Sequence, residues 1–252
     1  MSKAETSVLT SLRDGYRAAV FGGGGGIGSA LVARLADDPR CSVVWSGARE
    51  AARSEGRVKR FAFDLEDDAS LERAAQALIA DGEAPDLVIV ATGLLHAEAL
   101  RPEKTITGLR RDALMRAFSI NTVGPSLIAG ALAARMPRDR KSVFAVLSAR
   151  VSSISDNRLG GWHGYRASKA ALNMMVRNLA LEMAMRRPRA VCLALHPGTV
   201  DTPLSRPFQG GVAEGRLFTP DFAAERLLSV IDSSSPDESG KLLAWDGAVI
   251  PF

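Results

Sequence analysis

A run of glycines between a strand-like segment and a helical segment constrains the fold of this chain most. After Arg17, residues 18–21 are small, β-branched or aromatic, residues 22–26 are all glycine, and Gly28 follows Ile27. From residue 29 onward, apolar residues recur at the i, i+3 and i+4 spacing of a helix. Glycines let the backbone approach a pyrophosphate, whose charge the helix N-terminus meets. This order predicts a dinucleotide-binding loop, because a flexible linker would lack the apolar strand and the amphipathic helix. The spacing of Gly22, Gly26 and Gly28 is G-x-x-x-G-x-G, and the surplus glycines also satisfy G-x-G-x-x-G.

Strand-like and helical segments alternate along the rest of the chain. Seven segments are typical of strands: 17–21, 42–46, 58–63, 86–91, 142–148, 189–196 and 241–245. Further helices are expected near 69–80, 109–135, 163–186 and 221–232. Alternation of this kind predicts an α/β fold, a doubly wound parallel sheet with helices on both faces. We expect a single domain over 15–252 after a polar leader over 1–14, and a long loop with a short helix over 202–220.

Composition and charge favour a soluble enzyme. The 252 residues are 46% hydrophobic and 6% aromatic, with a net charge of +4. The arginines are scattered without interleaved aromatic residues, so no nucleic-acid partner is expected. No apolar run approaches 18 residues and no signal-peptide pattern is present, which predicts a cytoplasmic protein without a membrane span. Cys41 and Cys192 lack metal-ligand spacing and are expected to be buried thiols, so no metal is predicted.

Tyr165 and Lys169 are the candidate acid/base pair. A spacing of four residues on a helix places a phenol and an ammonium on one face, one turn apart. A cation beside a phenol favours the phenolate, which predicts a tyrosine pKa lowered toward neutrality. The alternative is two solvated side chains on a helix face.

From about residue 17 to residue 251, these motifs together resemble the short-chain dehydrogenase/reductase family. The glycine loop, Tyr165 and Lys169, Asn121, the segment 197–202 and Asp64 follow in the order and spacing of that family. The segment 162–173 and the ending at 244–247 are similar to its C-factor and sniffer-type carbonyl reductase branch.

The resemblance implies a Rossmann fold with a mostly parallel seven-stranded sheet, and reversible hydride transfer between a nicotinamide and a carbonyl or alcohol. It implies a homo-oligomer, a dimer or tetramer, and a small-molecule partner. It implies Tyr165, Lys169, Ser148 and Asn121 as catalytic residues. The implied cofactor-binding residues are Gly22, Gly24, Gly25, Gly26, Ile27, Gly28, Arg49, Asp64, Leu65, Ala91, Thr92, Gly93, Tyr165, Lys169, Pro197, Gly198, Val200 and Thr202.

The chain departs from the family pattern at three places. Val90, Ala91, Thr92 and Gly93 stand where the family has Asn-Asn-Ala-Gly, so an asparagine that braces the central strands is missing. Phe21 replaces the threonine that heads the glycine loop. Where the family has a serine pair at the end of the fifth strand, this chain has Ser148 followed by alanine. Ser152 stands at the family's usual separation from the catalytic tyrosine. Ser148 is favoured as the catalytic serine, Ser152 is the alternative, and a third possibility is that neither serine is catalytic.

Asn121 lies within the expected helix 109–135, four residues before Pro125. Proline has no N–H, so the Asn121 carbonyl loses its helical partner. Following the resemblance, our hypothesis is that this carbonyl holds a water that feeds protons to Lys169. The alternative is that Pro125 starts a new helix after a loop.

The end of the second strand decides the cofactor. An acidic residue there would bind the 2′-hydroxyl of NAD, whereas an arginine accommodates the 2′-phosphate of NADP. Residues 44–48 contain no acid and Arg49 follows, although Glu50 comes next. NADP is therefore favoured, and NAD is the less favoured cofactor.

The substrate and two other functions stay open. An NADP-binding sensor or signalling protein with little turnover is one alternative, and a dehydratase or epimerase on the same scaffold is another. Specificity is expected in segments 94–104, 150–164 and 203–218. Trp162, Phe208 and Phe218 are candidates for an apolar pocket, with surface or core packing as the alternative. His96 and His163 are expected in loops or a pocket wall.

Overall fold

The computed structural model describes residues 8–50, 52–80, 82–98 and 100–252. Residues 1–7 of the expected leader and Ala99 of the segment 94–104 lie outside the described residues. In chain order the strands and helices are β1 (Tyr16–Phe21), α1 (Gly26–Asp37), β2 (Cys41–Ala48), β3 (Val58–Ala62), α2 (Asp68–Leu78), β4 (Leu87–Val90), α3 (Arg111–Phe118), α4 (Gly124–Leu132), β5 (Ser142–Leu147), α5 (His163–Arg186), β6 (Ala190–His196), β7 (Thr199–Val200), β8 (Leu217–Phe218), α6 (Pro220–Ser233), β9 (Leu242–Ala244) and β10 (Val249–Ile250).

The central sheet has eight strands in the order β10-β9-β6-β5-β4-β1-β2-β3. All seven predicted strands are present and parallel, which confirms the α/β prediction. The predicted strand number is one too low, because β10 adds an antiparallel strand at the edge. A second, two-stranded sheet pairs β7 with β8 inside the expected loop region, where a 3-10 turn (Arg206–Gly211) is the predicted short helix.

Apolar cores cover both faces of the sheet. Strand β4 is buried at all four positions, as expected for a central parallel strand with helices on either side. One core packs the sheet against α2, α4 and α5, and the other packs it against α1 and α6. The carboxyl ends of the parallel strands therefore meet at one edge, where open sheets of this kind bind their ligands.

Residues 8–14 lie against this domain, so their assignment to a separate polar leader is wrong. Leu9 and Leu12 are buried in the core beside α1 and α6. The backbone N–H groups of Val8 and Leu9 donate to the buried carboxylate of Asp38 at 3.0 and 3.1 Å. This part of the N-terminal segment is therefore built into the fold.

The predicted helix 109–135 is one helical run with a bulge. Helices α3 and α4 are joined by a π turn, Ser119–Val123, and Pro125 lies in the first turn of α4. The run Arg111–Arg135 is long and apolar enough to cross a membrane by length and composition alone. Core helices share this length and composition, and this run packs against α2 and α5.

Candidate active site

The glycine loop lies at the carboxyl end of β1 and leads directly into α1. Gly22 has a φ of +92°, and a methyl group there would meet the Ala91 backbone at 3.0 Å. A methyl group at Gly28 would overlap the Gly22 carbonyl, so this turn can form only with glycine at both ends. Gly24 and Gly25 are exposed, and Gly25 caps α1 without a side-chain hydrogen bond. The first-turn N–H groups of α1, which include those of Gly26 and Ile27, can therefore receive a phosphate.

The loop after β4 borders the same cradle. The Ala91 N–H donates to the Phe21 carbonyl at 2.7 Å, which joins the ends of β1 and β4. The Thr92 hydroxyl is buried and is one of the few buried side-chain polar atoms without a hydrogen-bond partner among the described residues. Thr202 closes the cradle from the other side, since its methyl group lies 2.6 Å from where a Gly26 side chain would begin. An open cradle with an unpaired hydroxyl fits a dinucleotide.

The replacement of threonine by Phe21 has a packing reason. The Phe21 ring is buried and stacks edge-on against Phe61 and Phe63, with ring centroids 5.3 and 5.1 Å apart. A methyl group at Gly47 would also meet these two rings. Phe21 thus lacks the hydroxyl of the family threonine but forms an aromatic cluster with Phe61 and Phe63 beneath the glycine loop.

Lys169 reaches from α5 to the strand ends, as the sequence predicts. Its ammonium group donates to the Leu147 carbonyl at 2.7 Å and lies 3.7 Å from where a Gly93 side chain would begin. Lys169 is 2% exposed, and Tyr165 on the same helix face is half-buried. The two motifs found in sequence, the glycine loop and the Tyr165–Lys169 pair, therefore meet at one edge of the sheet.

The protonation states differ from the sequence prediction. Burial raises the pKa of Tyr165 to about 12 and lowers the pKa of Lys169 to about 7. Desolvation penalises the charged form of each group, so it favours a neutral phenol and a neutral amine. The predicted lowering of the tyrosine pKa by a neighbouring cation is wrong for this structure. Burial instead keeps the proton on the Tyr165 phenol at neutral pH.

Both candidate serines lie at the end of β5 and share one partner, Asn173 of α5. The Ser148 hydroxyl donates to the Asn173 side-chain carbonyl at 2.7 Å, and the Asn173 amide donates to the Ser152 hydroxyl at 2.7 Å. The two serine oxygens are 3.4 Å apart. Ser148 directly follows Leu147, whose carbonyl binds Lys169, and this position favours Ser148 over Ser152 as the catalytic serine. Asn173 stands one turn after Lys169, and this spacing is a signal that could have identified it.

Asn121 lies in the π turn and braces the loop after β4. Its side-chain carbonyl accepts from the Leu94 N–H at 2.8 Å, and its amide donates to the Leu94 carbonyl at 2.9 Å and to the Ser168 hydroxyl at 3.0 Å. These hydrogen bonds fix the loop after β4, the segment in which the family's asparagine is absent. The sequence left open whether Pro125 lies inside one long helix or starts a new helix after a loop. The chain stays helical around Pro125, as in the first interpretation, and Pro125 lies in the first turn of α4, as in the second.

The expected adenine end of the site is formed by the loops after β2 and β3. Arg49 is exposed and follows Ala48, whose side chain lies 3.3 Å from where a Gly24 side chain would begin. Asp64 is exposed, and one of its carboxylate oxygens accepts from the Glu66 N–H at 2.9 Å. The Leu65 side chain packs against Gly124 of α4, so a dinucleotide would meet its backbone.

The segment after β6 is folded against an aromatic cluster. Gly198, next to Pro197, has a φ of +79°, and a side chain there would meet Phe218 and Trp245. Val200 in β7 is buried and pairs with Phe218 in β8. Phe218 therefore supports this segment, which agrees with the alternative that it is a packing residue and does not line an apolar pocket.

Three aromatic side chains from the expected specificity segments meet near Tyr165. The Phe208 ring lies 5.0 Å from that of Trp162 and 5.6 Å from that of His96, and Trp162 lies 6.3 Å from Tyr165. Trp162 has a φ of +52° and precedes α5 without a side-chain cap. Glu103, which sequence reasoning missed, accepts the Trp162 N–H on its carbonyl at 2.6 Å and the Gly164 N–H on its carboxylate at 3.1 Å. No local pattern could have indicated this distant partner.

With this geometry established, comparison with known proteins identifies the class. A family model described as short chain dehydrogenase matches residues 17–211. The chain belongs to the short-chain dehydrogenase family, and the resemblance predicted from its motifs is confirmed. It is thereby a nicotinamide-dependent oxidoreductase.

Particular relatives refine the comparison. A 1-hydroxy-2-glutathionyl-2-methyl-3-butene dehydrogenase of Rhodococcus sp. (strain AD45) is 30% identical over 92% of this chain and 98% of its own. The C-signal of Myxococcus xanthus is 33% identical over 55% of this chain and 78% of its own. The NADPH-bound carbonyl reductase from chicken fatty liver superposes with a TM-score of 0.83 at 23% identity, covering 96% of each chain. These similarities agree with the predicted C-factor and carbonyl reductase branch.

Proposed function

We propose that this protein transfers a hydride between NADP(H) and an apolar carbonyl or alcohol compound, with Tyr165 as the acid/base group. The observation that carries the proposal is the reach of Lys169 to the Leu147 carbonyl and the Gly93 backbone, at the edge of the glycine cradle. The NADPH-bound carbonyl reductase with the same fold supports the choice of cofactor. The test is carbonyl-dependent oxidation of NADPH over a panel of ketones and aldehydes.

Each residue has a part in this reaction. The nicotinamide, when bound, supplies or accepts the hydride. Tyr165 donates its proton to the developing alkoxide in reduction and accepts one in oxidation. Lys169 would hold the ribose hydroxyls. Ser148 would donate to the substrate oxygen where charge develops, once its hydroxyl turns from the Asn173 oxygen that it binds in this structure. The Asn121 carbonyl, which Pro125 cannot satisfy, holds a water that returns protons toward Lys169.

We expect NADPH to bind more tightly than NADH, because Arg49 follows β2 and the end of that strand has no acid. Arg49→Glu should weaken NADPH binding by at least roughly tenfold, the value of one hydrogen bond to a charged group, and should not weaken NADH binding, because an acid there can bind the 2′-hydroxyl. Matched titrations of both reduced cofactors measure this difference. Arg186→Glu, at the far end of α5, is the control with the same charge change. Tighter binding of NADH by the unmodified protein would contradict the assignment.

The aromatic wall near Tyr165 supports an apolar substrate. Phe208 contacts Trp162 and His96, so rings from three separate segments form one surface beside the phenol. Flat apolar groups gain both from burial and from ring contacts on such a surface. Aryl and alkyl ketones therefore head the substrate panel.

A second candidate function is an NADP-binding signalling protein with little turnover. The similarity to the C-signal of Myxococcus xanthus favours it. Tyr165, Lys169 and a serine at the end of β5 favour the enzyme instead, since binding alone requires no proton donor. Tight NADPH binding without oxidation by any carbonyl compound would select the signalling function.

We propose a homodimer or tetramer assembled through α4 and α5. A groove of about 190 Å³ lies between these helices, and Met175, which lines it, is 43% exposed. Burial of such a surface stabilises association by about 25 cal/mol per Å² of apolar area. Met175→Glu should halve the mass measured by light scattering, whereas Met115→Glu on exposed α3 should not. A monomeric unmodified protein at high concentration would argue against this interface.

A further inference from the structure

We propose that Glu103 is a positioning residue of the substrate site, which holds the Trp162 ring beside Tyr165 and so makes the site prefer aromatic to small carbonyl compounds. The proposal rests on the proposed oxidoreductase function and names the substrate class that Trp162 selects. Glu103 is half-buried in the loop between β4 and α3, 61 residues before Gly164. The family motifs assign it no part in catalysis or cofactor binding.

The backbone of Trp162 has a conformation that is unfavourable for a bulky residue. Gly160, Gly161 and Trp162 have consecutive φ values of +61°, +65° and +52°. Glycine adopts this left-handed region freely, whereas a large side chain does so at a cost. Among the residues that the structure describes, Trp162 is the only non-glycine residue with a positive φ. Such a conformation persists only where the surrounding contacts impose it, and it is concentrated at functional sites.

Glu103 supplies contacts on both sides of Trp162. Its backbone carbonyl accepts the Trp162 N–H at 2.6 Å, and its carboxylate accepts the Gly164 N–H at 3.1 Å. Trp162 precedes α5 without a side-chain cap, so the Glu103 carboxylate acts as the cap of the first turn. Its negative charge is also favourable at the positive end of the helix dipole. One residue of a distant loop therefore fixes the backbone before and after Trp162.

Gly164 allows the Glu103 carboxylate to approach the helix. A methyl group at Gly164 would begin 3.0 Å from one carboxylate oxygen and 3.1 Å from the Leu114 side chain of α3. Gly164 is buried, so a larger residue there would have to displace one of these neighbours. The space at the start of α5 is thus occupied by the carboxylate that caps it.

The constrained backbone brings the Trp162 ring close to the proton donor. The centroid of the Trp162 ring lies 6.3 Å from that of Tyr165 and 5.0 Å from that of Phe208. Trp162 is half-buried, so part of its indole is open to a ligand. A flat ring on the indole gains from burial and from ring contact, whereas a methyl group gains far less. A ketone that carries an aromatic ring therefore meets Trp162 and the phenol of Tyr165 together.

The ratio of kcat/KM for acetophenone to kcat/KM for acetone tests the proposal. This ratio cancels losses that affect both substrates alike, such as partial unfolding or a displaced phenol. We expect the unmodified protein to prefer acetophenone, and Trp162→Ala to lower the ratio roughly tenfold, the value of one aromatic contact. Glu103→Ala should lower it by roughly three- to tenfold, because the Trp162 ring is then less constrained. Glu103→Gln should stay within about twofold of the unmodified protein, because the glutamine oxygen still accepts the Gly164 N–H.

A double variant shows whether Glu103 acts through Trp162. Glu103→Ala combined with Trp162→Ala should have the same ratio as Trp162→Ala alone, because no ring is left to position. A lower ratio in the double variant would mean that Glu103 acts by another route and would overturn the proposal. An unchanged ratio in Glu103→Ala would also overturn it, even with a lowered Tm, because the contact would then be structural only.

Glu238→Ala is the control for the loss of a capping carboxylate. The Glu238 carboxylate accepts the Ser235 N–H at 2.9 Å in the turn that leads into β9, at the opposite edge of the sheet from the site. This variant should lower Tm, as Glu103→Ala does, and leave the ratio unchanged. A lowered ratio in Glu238→Ala would overturn the proposal, because lost stability alone would then explain the change.

The unmodified protein separates this proposal from the proposed function. Turnover of both ketones without a preference for acetophenone would overturn the role of Trp162 and Glu103 and leave the oxidoreductase function intact. No carbonyl-dependent oxidation of NADPH with any compound of the panel would contradict the proposed function itself, and this proposal with it.

Discussion

Replacing Tyr165 by phenylalanine should remove most turnover and leave cofactor binding intact. Burial raises the pKa of Tyr165 to about 12, so at neutral pH the phenol carries the proton that a carbonyl oxygen needs. Loss of a positioned general acid costs about 10² to 10⁴ in rate. The ring itself packs near Trp162, and phenylalanine keeps that contact. Steady-state kcat with NADPH and the best ketone of the panel, together with the Kd for NADPH, measures the effect.

The chain offers a matched control, because it contains only one other tyrosine. Tyr16 lies in β1, and its hydroxyl donates to the buried Asp38 at 2.9 Å, far from the glycine loop along the strand. Tyr16→Phe removes the same atom and should lower stability by about 1.5–3 kcal/mol, the worth of a hydrogen bond to a charged group. Its kcat should be unchanged. Equal turnover by Tyr165→Phe and the unmodified protein would remove Tyr165 from the mechanism.

The sheet and the main site could be predicted because their signals are local. Six of the seven predicted strands are short, mainly apolar runs, the exception being 58–63 with Lys59 and Arg60. The glycine loop and the Tyr165–Lys169 spacing each lie within seven residues. The eighth strand, Val249–Ile250, has two residues and shows no period that could distinguish it from a tail. Its place at the sheet edge follows from pairing with Leu242 and Leu243, which no local pattern contains.

The protonation states could not be predicted because they depend on burial. The spacing of Tyr165 and Lys169 shows that the groups share a helix face, but not how much water surrounds them. In the structure desolvation is the cause of both pKa shifts, and it acts on each group in the direction of its neutral form. Sequence reasoning supplied the charge interaction and missed the larger cost of removing water.

Contacts that join distant segments were missed for a related reason. Glu103 binds the start of α5 through residues about 60 positions away, and Asn121 braces Leu94 across two elements. Asn173 is the exception, because it continues the helix face of Lys169 at the next turn. Extending that face by one turn would have found the residue that holds both candidate serines.

Lys169→Met should change how stability depends on pH. Burial lowers the pKa of Lys169 to about 7 in the folded protein, whereas an unfolded lysine titrates near 10.5. Between these values the unfolded chain binds one more proton than the folded protein, so the free energy of unfolding rises with pH. This contribution of Lys169 to the free energy of unfolding is complete above about pH 10.5 and is lost as the pH falls toward 7. Its slope is at most about 1.4 kcal/mol per pH unit.

Methionine has a similar shape and no charge, so the variant should lack this slope. Urea unfolding at pH 7 and pH 9.5 should show that the unmodified protein gains roughly 2–3 kcal/mol relative to Lys169→Met. Burial also raises the pKa of Tyr16, Cys41 and Cys192, but those groups are common to both proteins and cancel in the difference. Lys59→Met, on exposed β3, serves as the control and should show no relative gain. If the difference in unfolding free energy between the unmodified protein and Lys169→Met is the same at both pH values, the Lys169 amine stays charged in the folded protein. Tyr165 would then have the neighbouring cation that the residue spacing predicts.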